Sequence, residues 1–444
     1  MAQRGRPPKQ AQNLFDKGQA STLPTPAPAA QTAQDASPDE IQKRATEEPA
    51  QSASDTVTTA EKKSEDRKVK IVVYAISKNE SKFVKRWMDS MKEADAVVVL
   101  DTGSTDGTAK MLSDLGAKVE TKVITPWRFD VSRNASMDLA TRLHPDADLL
   151  VCTDLDEYFL PGWRAKLEKA WRTVCANLSD KDAPVPTTVQ YEYVWNFNAD
   201  GSDGTKYWYE KIHTPSSGAR WTHPVHEILS YSTEKVMVRV PSVRLEHHAD
   251  PTKSRGQYLA LLETSVKEAP NDDRNMHSLG REYMFRGRWD DAIRTLKRHI
   301  SLSSATWPAE RGNSMRFIAR CYAEKGDRQN QEIWLWRAIS ESVKQREAAL
   351  DLAELLNKEK DWTELVRVCE IILSRTEKVM TYITKAEAWG SRPYDLYSVG
   401  LWNTGKCGEA IVAAKRALEL APDNDRIRKN IEVMEKFVSD ARNG

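Results

Sequence analysis

The sequence predicts an α/β domain with a mostly parallel sheet over residues 69–252, followed by an all-α domain over residues 253–444. Residues 69–124 alternate short apolar, β-branched runs with segments of helical period. From about residue 255 onward the pattern is almost wholly helical. Residues 1–68 are rich in Ala, Gln, Thr, Ser and Pro and have Phe15 as their single aromatic residue. We expect that segment to be a disordered tail, because it has too little apolar surface to offset the entropy of ordering.

The composition excludes several classes of protein. The 66 Lys and Arg against 65 Asp and Glu give a net charge of +1, so no whole-chain field draws the protein to nucleic acid or to an anionic membrane. No apolar run approaches the roughly 18 residues of a membrane span, and no apolar segment follows the polar N-terminus. The five cysteines are far apart and odd in number, which favours reduced thiols over a disulfide framework. We therefore expect a soluble, cytoplasmic protein.

The N-terminal tip carries a local basic motif. Residues 4–9 read Arg-Gly-Arg-Pro-Pro-Lys and resemble an AT-hook, which lies in the minor groove of A·T-rich DNA. By this resemblance Arg4 and Arg6 would contact DNA weakly. A basic tip on a flexible tail explains the same residues, because motifs this short recur by chance in low-complexity sequence.

The first elements of the α/β domain follow from the hydrophobic pattern. It predicts strands at 69–76, 96–100 and 118–124 and helices at 80–91 and 108–115. This alternation is typical of βαβ units, in which consecutive strands are parallel. Ligands of such sheets bind beyond the carboxyl ends of the strands.

Aromatic residues alternate with polar ones later in the domain. Residues 191–197 and 207–209 flank the turn signal at 199–204, which predicts a β-hairpin, and a basic strand follows at 238–245. The hairpin aromatics could form a platform for a sugar ring or an extruded base. Packing in a half-buried sheet explains them equally well.

The helical domain repeats small residues near aromatic ones. The small positions are Gly280, Ala319, Ala353 and Ser398. This resembles tetratricopeptide repeats, whose small residues let paired helices pack closely. The unequal spacing implies insertions between repeats. By the resemblance, this domain would position an acceptor or form a homodimer.

Two aspartates follow an apolar run at residues 149–152. Asp154 and Asp156 would repel each other at the end of a buried strand, and a bound cation usually neutralises such repulsion. Hard carboxylate oxygens suit Mg²⁺ or Mn²⁺, which neutralise a bound diphosphate. The alternative is a helix N-terminus with acidic residues in its first turn.

Four motifs that follow one another along the chain make the assignment of this site more specific. They are residues 77–80 (SKNE), 101–108 (DTGSTDGT), 127–136 (WRFDVSRNAS) and 154–157 (DLDE). Together they resemble the nucleotide-sugar-binding half of family 2-type glycosyltransferases, which has a GT-A-like fold, and the subgroup in which helical repeats follow. The resemblance covers about residues 69–250. It implies an inverting transfer from a nucleoside-diphosphate sugar, such as a UDP-sugar, that depends on Mn²⁺ or Mg²⁺.

The resemblance also implies roles for individual residues. Arg133 would brace the nucleotide or its phosphates, because an arginine makes bidentate contacts with anions. Thr102 stands where many relatives have a second acidic residue, which leaves the base contact of Asp101 open. The remaining residues that it assigns to the donor side are Asn79, Glu80 and Asp101 for the substrate, Asp154 for ribose or metal-bound water, and Asp156 with His247 or His248 for the metal.

The acceptor side is expected downstream. Relatives carry a Val/Ile-His-Glu element where Val225, His226 and Glu227 stand, so His226 and Glu227 are the catalytic candidates, with Glu227 as the base that removes the acceptor proton. Its competitors are Glu192, Asp200, Asp203 and Glu210. The sequence His223-x-x-His226-Glu227 is a poor zinc-hydrolase motif, because Pro224 opposes the helix that such a motif requires.

Two functions remain open. The first is a glycosyltransferase acting on a macromolecular acceptor, either a protein or DNA with a hydroxylated base. The second is a non-catalytic repeat scaffold or DNA-associated binding protein with a degenerate transferase domain. The intact Arg133, Asp154 and Asp156 favour the enzyme.

Overall fold

The computed structural model describes residues 68–176, 186–198, 200–250 and 256–443. Residues 1–67 of the predicted tail, which include the AT-hook-like Arg4 and Arg6, lie outside the described residues. The chain divides into two compact units between Arg255 and Gly256. Each unit is described by itself.

The first unit is built on an eight-stranded sheet with the strand order β3-β2-β1-β4-β7-β6-β10-β5. A separate two-stranded ribbon pairs β8 with β9. The strands are β1 Ile71–Ser77, β2 Ala96–Asp101, β3 Lys118–Thr121, β4 Leu149–Cys152, β5 Glu157–Phe159, β6 Thr188–Val194, β7 Lys206–His213, β8 Arg220–Thr222, β9 Ile228–Ser230 and β10 Met237–His247. The helices are α1 Ser81–Met91, α2 Thr108–Asp114, α3 Phe129–Leu143 and α4 Trp163–Ala176.

One half of the sheet is parallel, and the other half combines antiparallel pairs with the parallel pair β6–β10. Strands β3, β2, β1 and β4 are parallel, as the βαβ pattern predicts. Strand β7 runs antiparallel to β4 and pairs with β6 in the predicted hairpin. Strands β2 and β4 lie on opposite sides of β1, so the chain changes direction across the sheet at this point. In open α/β sheets the ligand crevice lies at such a switch point, outside the carboxyl ends of the strands.

Burial explains why the first elements form where the pattern predicts them. Residues 71–75 of β1 are fully buried, as expected of a parallel strand covered on both faces. Helix α1 buries Val84, Trp87, Met88 and Met91 at helical spacing. The indole Nε1 of Trp87 donates a hydrogen bond of 3.0 Å to Oγ1 of Thr153. That bond attaches α1 to the segment after β4, where the aspartates lie.

The hairpin tyrosines pack inside the sheet unit. Tyr191, Tyr193, Tyr207 and Tyr209 are all buried, and the Tyr193 ring lies 4.7 Å from that of Tyr209 between centroids. Sheet packing, the second of the two interpretations, therefore accounts for these four rings, whose burial leaves none of them exposed for stacking on a ligand.

The second unit is helical. Its helices are α5 Tyr258–Glu268, α6 Asp273–Phe285, α7 Trp289–Ser301, α8 Pro308–Glu324, α9 Arg328–Glu341, α10 Glu347–Glu359, α11 Trp362–Ser374, α12 Ala386–Trp389, α13 Arg392–Asn403, α14 Cys407–Leu420 and α15 Asp425–Asn443. Consecutive helices pack as the pairs α6/α7, α8/α9, α10/α11 and α13/α14. These pairs confirm the prediction of helical repeats.

The small residues of the repeat pattern occupy equivalent places. Gly280, Ala319, Ala353 and Ser398 are buried on the first helix of successive pairs. At Gly280 a Cβ atom would lie 2.5 Å from Cγ of Leu296 on α7, so a side chain does not fit there without a shift. The short helix α12 lies between the third and fourth pairs and explains their wider spacing. In the described part of the chain, no helix is both long and apolar enough to cross a membrane.

Candidate functional site

The loop after β2 is held by Asp101. This buried carboxylate accepts hydrogen bonds from Oγ of Ser77 at 3.0 Å, the backbone N of Gly103 at 3.1 Å and the backbone N of Ser104 at 2.9 Å. Gly103 has a φ of 104°, which other residues rarely adopt. Because these donors come from the chain itself, the structure makes Asp101 an anchor of the loop beside the crevice.

Asn79 and Glu80 join the loop after β1 to the loop after β2. Oδ1 of the exposed Asn79 accepts a bond of 2.8 Å from the backbone N of Thr105. The backbone N of Glu80 donates to Oγ1 of Thr108 at 2.8 Å. The two loops thus brace each other at the carboxyl ends of adjacent strands.

Arg133 lies at the centre of a buried ion cluster. It comes from α3 and its side chain is 2% exposed. Its Nη2 is 2.8 Å from Oδ1 of Asp154, and its Nε is bonded to Oε1 of Glu227. Its Nη1 also donates to Sγ of Cys152 at 3.4 Å. One guanidinium therefore joins the end of β4 to the β8–β9 loop.

Lys211 is a second buried cation in the cluster, and the sequence analysis did not identify it. Its Nζ lies 3.1 Å from Oδ2 of Asp154 and 3.3 Å from both oxygens of Glu157. Glu157 also accepts bonds from the Tyr193 hydroxyl at 2.8 Å and from the backbone N of Asp154 at 2.9 Å. A signal was present in the strand pattern: alternation places Lys211 on the same face as Tyr209, and a lysine on a buried face needs acidic partners.

The ion pairs determine how the cluster titrates. Burial alone would raise the pKa of Asp154, but Arg133 and Lys211 outweigh it and hold that pKa well below its ordinary value. Burial raises the pKa of Glu157 despite the opposing effect of Lys211. Both oxygens of Asp154 already contact protein cations, so Asp154 is an internal partner of Arg133 and Lys211.

Asp156 and His247 meet at the edge of this cluster. Oδ2 of Asp156 lies 3.7 Å from Nε2 of His247, and the two side chains are 14% and 5% exposed. Nδ1 of His247 donates to the carbonyl of Trp195 at 2.9 Å, since a carbonyl oxygen only accepts. The His247 ring also stacks on the indole of Trp195, with 4.3 Å between centroids. A neutral His247 therefore directs the Nε2 lone pair toward a carboxylate.

A lone pair facing a carboxylate requires a positive charge between them. A proton is one candidate: burial lowers the pKa of His247, but Asp156 and Glu157 raise it to a net value above the ordinary one. A divalent cation is the other, because a bonded Nδ1 that fixes the ring and exposes Nε2 is the usual state of a metal-binding histidine. The residues present thus fit Mn²⁺ or Mg²⁺, with other ligand positions left for water or substrate phosphates.

The charge of the cluster favours the divalent ion. Three carboxylates contact the two cations Arg133 and Lys211, and a fourth faces His247, which leaves two negative charges when all four are ionised and His247 is neutral. The four are Asp154, Asp156, Glu157 and Glu227. One divalent ion would balance them.

His248 does not join Asp156 through its side chain. Its Nε2 lies 3.3 Å from Glu246, and its ring stacks on Tyr158 with 4.7 Å between centroids. The two neighbouring histidines point to opposite faces because side chains alternate along a strand. Of the predicted pair, His247 is the one that the structure brings to the aspartate.

The β8–β9 loop carries the predicted base. His226 is buried at a φ of 53°, and Glu227 is 1% exposed and paired with Arg133. His223 also has a positive φ, of 75°, which non-glycine residues rarely adopt. The ion pair with Arg133 engages the Glu227 carboxylate inside the protein, so this geometry favours Glu227 as the residue that positions Arg133.

The competitors for the base are also engaged. Glu192 and Asp203 contact Arg244, and Glu210 contacts Lys235. The exposed Asp200 accepts bonds from Ser202 of its own turn. The geometry does not single out one of them as the base.

No known protein-family profile matches the chain. Among solved structures, the protein MamA is 19% identical over 38% of this chain and 83% of its own, with a TM-score of 0.29. Yeast Tom70 is 13% identical over 42% of this chain and 37% of its own, with a TM-score of 0.32. PilF of Pseudomonas aeruginosa is 12% identical over 38% of this chain and 70% of its own, with a TM-score of 0.31. These low scores describe a partial likeness.

Proposed function

We propose that the chain transfers a sugar from a nucleoside-diphosphate donor to a macromolecular acceptor, in a GT-A-like sheet unit that depends on Mn²⁺ or Mg²⁺. One observation carries the proposal: Asp156 and Nε2 of His247 converge at 3.7 Å beside a switch point of the sheet. The motif order described above supplies the class of reaction. The acceptor is a protein or DNA with a hydroxylated base.

Each side chain of the site would have a separate role. Asp156 and His247 would hold the metal ion, which neutralises charge on the leaving diphosphate when bound. Arg133 and Lys211 keep Asp154 ionised and fixed behind it. Trp195 orients His247 through its carbonyl and its ring. The loops held by Asp101 and Asn79 are then available to border the nucleotide.

The reaction has a simple balance. The bond between the anomeric carbon and the diphosphate oxygen breaks, and the diphosphate leaves with the electron pair. The acceptor oxygen forms the new bond from the opposite face, which inverts the anomeric centre. Its proton passes to a base or to water.

A donor panel tests the proposal. The full-length protein, Mn²⁺ and a set of nucleoside-diphosphate sugars are incubated, and mass spectrometry measures the free sugar and nucleotide formed. We expect slow hydrolysis of one donor, lost in Asp156→Asn and retained in Asp200→Asn, a matched change at an exposed turn. A panel without any turnover, or equal turnover in Asp156→Asn, would overturn the proposal.

A second candidate is a non-catalytic scaffold. The ion cluster favours a scaffold because Arg133 and Lys211 neutralise both oxygens of Asp154 without any ligand. The helical pairs of residues 256–443 would then carry the function by binding a partner. In that case partner capture would be identical in the wild type and in Asp156→Asn, with no donor consumed by either protein.

A further inference from the structure

Three buried side chains with metal-ligand atoms converge in the helical unit. They are His277 on α6, His299 on α7 and Glu310 on α8. One ligand atom from each lies within 4.8 Å of the others. The side chains are buried, with residue exposures of 2%, 0% and 7%. The cluster therefore spans two consecutive helix pairs.

Both histidines leave a ring nitrogen unsatisfied. Nε2 of His277 and Nε2 of His299 are buried and have no hydrogen-bond partner in the described part of the chain. Nε2 of His299 lies 3.4 Å from Oε1 of Glu310. An unsatisfied buried polar group costs about 1–3 kcal/mol. The two nitrogens and the carboxylate therefore offer three buried ligand atoms to one cation.

Ser314 orients both rings in the way that a metal site requires. Its Oγ lies 2.7 Å from Nδ1 of His277 and 2.9 Å from Nδ1 of His299. A hydroxyl oxygen has two lone pairs, so it can accept an N–H from each ring. Both Nε2 atoms then carry lone pairs, as metal ligation requires. The Tyr382 hydroxyl meanwhile donates to Oε2 of Glu310 at 2.5 Å and orients the carboxylate.

We propose that His277, His299 and Glu310 bind a zinc ion that fastens the first helix pair to the second. Two imidazole nitrogens and one carboxylate oxygen form a known zinc donor set, with the fourth position open to water. Because two of the three ligand atoms are nitrogens, the site disfavours Ca²⁺ and Mg²⁺, which prefer a shell of oxygen ligands. The ion would connect α6, α7 and α8, and it would add to their apolar packing and to polar contacts such as the bond of 2.6 Å from Nη1 of Arg311 to the carbonyl of Ile300.

The competing arrangement has no metal. The single Ser314 proton would point to one ring, the other ring would donate to Ser314, and one Nε2 would remain a bare, buried acceptor. The two arrangements differ in zinc content. The zinc site is also separable from the proposed Asp156 site, because they share no residue.

Metal analysis of the full-length protein tests the proposal. The chain is produced with zinc in the medium, dialysed, and examined by inductively coupled plasma mass spectrometry. We expect about one zinc per chain in the wild type and in the control Asp156→Asn, and loss of that zinc in the double variant His277→Gln/His299→Gln. Ser314→Ala keeps all three ligands, and it should weaken zinc binding by about 10- to 100-fold.

A measurement on the unaltered protein covers the case in which the double variant does not fold. Cobalt replaces zinc in the wild type, and the visible spectrum then reports whether nitrogen ligands surround it in a four-coordinate site. A tetrahedral spectrum that zinc abolishes supports the proposal. A wild type without zinc and without this spectrum overturns it, as does equal zinc content in wild type and double variant.

Discussion

Replacing Lys211 by methionine tests the ion cluster most sharply. The Lys211 side chain is 0% exposed, and its Nζ contacts two carboxylates at 3.1 and 3.3 Å. Removing one partner of a buried ion pair costs about 3–5 kcal/mol. Asp154 keeps Arg133, so the main loss falls on Glu157, which keeps the Tyr193 hydroxyl.

Protonation of Glu157 sets an upper limit to that cost. A free glutamate has a pKa of about 4.3, so protonating it at pH 7 costs about 4 kcal/mol. We therefore expect Lys211→Met to lose about 3–4 kcal/mol of unfolding free energy at pH 7. In the variant the folded pKa of Glu157 is raised, so protonation stabilises the fold as pH falls. The loss should shrink by about 2 kcal/mol at pH 5.5.

The assay is urea unfolding read by hydrogen exchange of peptides from β6 and β7, which reports the sheet unit separately from the helical one. Lys206→Met is the matched control, because Lys206 is on the same strand and 33% exposed, with carboxylates at 3.4 Å. It should cost less than about 1 kcal/mol. The double variant Lys211→Met/Glu157→Gln should recover most of the loss. The reasoning would be refuted if the stability losses of Lys211→Met and Glu157→Gln added up in the double variant. Equal losses in Lys211→Met and Lys206→Met would refute it as well.

Two further predictions concern packing and pH. Gly280→Ala should destabilise the helical unit by about 1–3 kcal/mol, because its Cβ would meet Leu296. The control Gly408→Ala, where nothing lies within 4 Å of the added Cβ, should be neutral or stabilising. Equal melting temperatures of the two variants would contradict this prediction. Burial lowers the pKa of His213 to about 4, and its Nε2 accepts from the Tyr74 hydroxyl at 3.0 Å. Since the unfolded chain then binds the extra proton, lowering the pH from 7 to 5 should cost the sheet unit about 2 kcal/mol more in the wild type than in His213→Gln. If urea unfolding of the wild type and of His213→Gln showed the same pH dependence, His213 would be excluded as the cause of the loss of stability at low pH.

The sequence predicted those elements whose signal is local. The apolar run of β1 and the helical spacing of Trp87, Met88 and Met91 specify burial within one element. The small residues Gly280 and Ala319 likewise indicated helix pairs, because close packing requires a missing side chain at a fixed place. Such patterns depend on neighbours along the chain, so they can be recognised without a tertiary structure.

The partners of the site residues depend on long-range pairing and were not predictable in the same way. Asp156 and His247 lie far apart in sequence, and strand β10 brings them together only because it pairs with β5 and β6. The choice between His247 and His248 depends on which face of β10 is turned toward the crevice. Arg133 was expected to touch a phosphate, but its buried partners Asp154 and Glu227 come from two other elements.

Manganese binding measured by electron paramagnetic resonance tests the central claim most directly. Free Mn²⁺ is titrated with the full-length protein, with and without UDP and other nucleoside diphosphates, in the wild type, Asp156→Asn and Asp200→Asn. We predict uptake of about one Mn²⁺ that a nucleoside diphosphate strengthens, weakened at least 10-fold in Asp156→Asn and unchanged in Asp200→Asn. Uptake equal in all three proteins, or unaffected by every nucleotide, would contradict a metal-assisted site at Asp156 and His247.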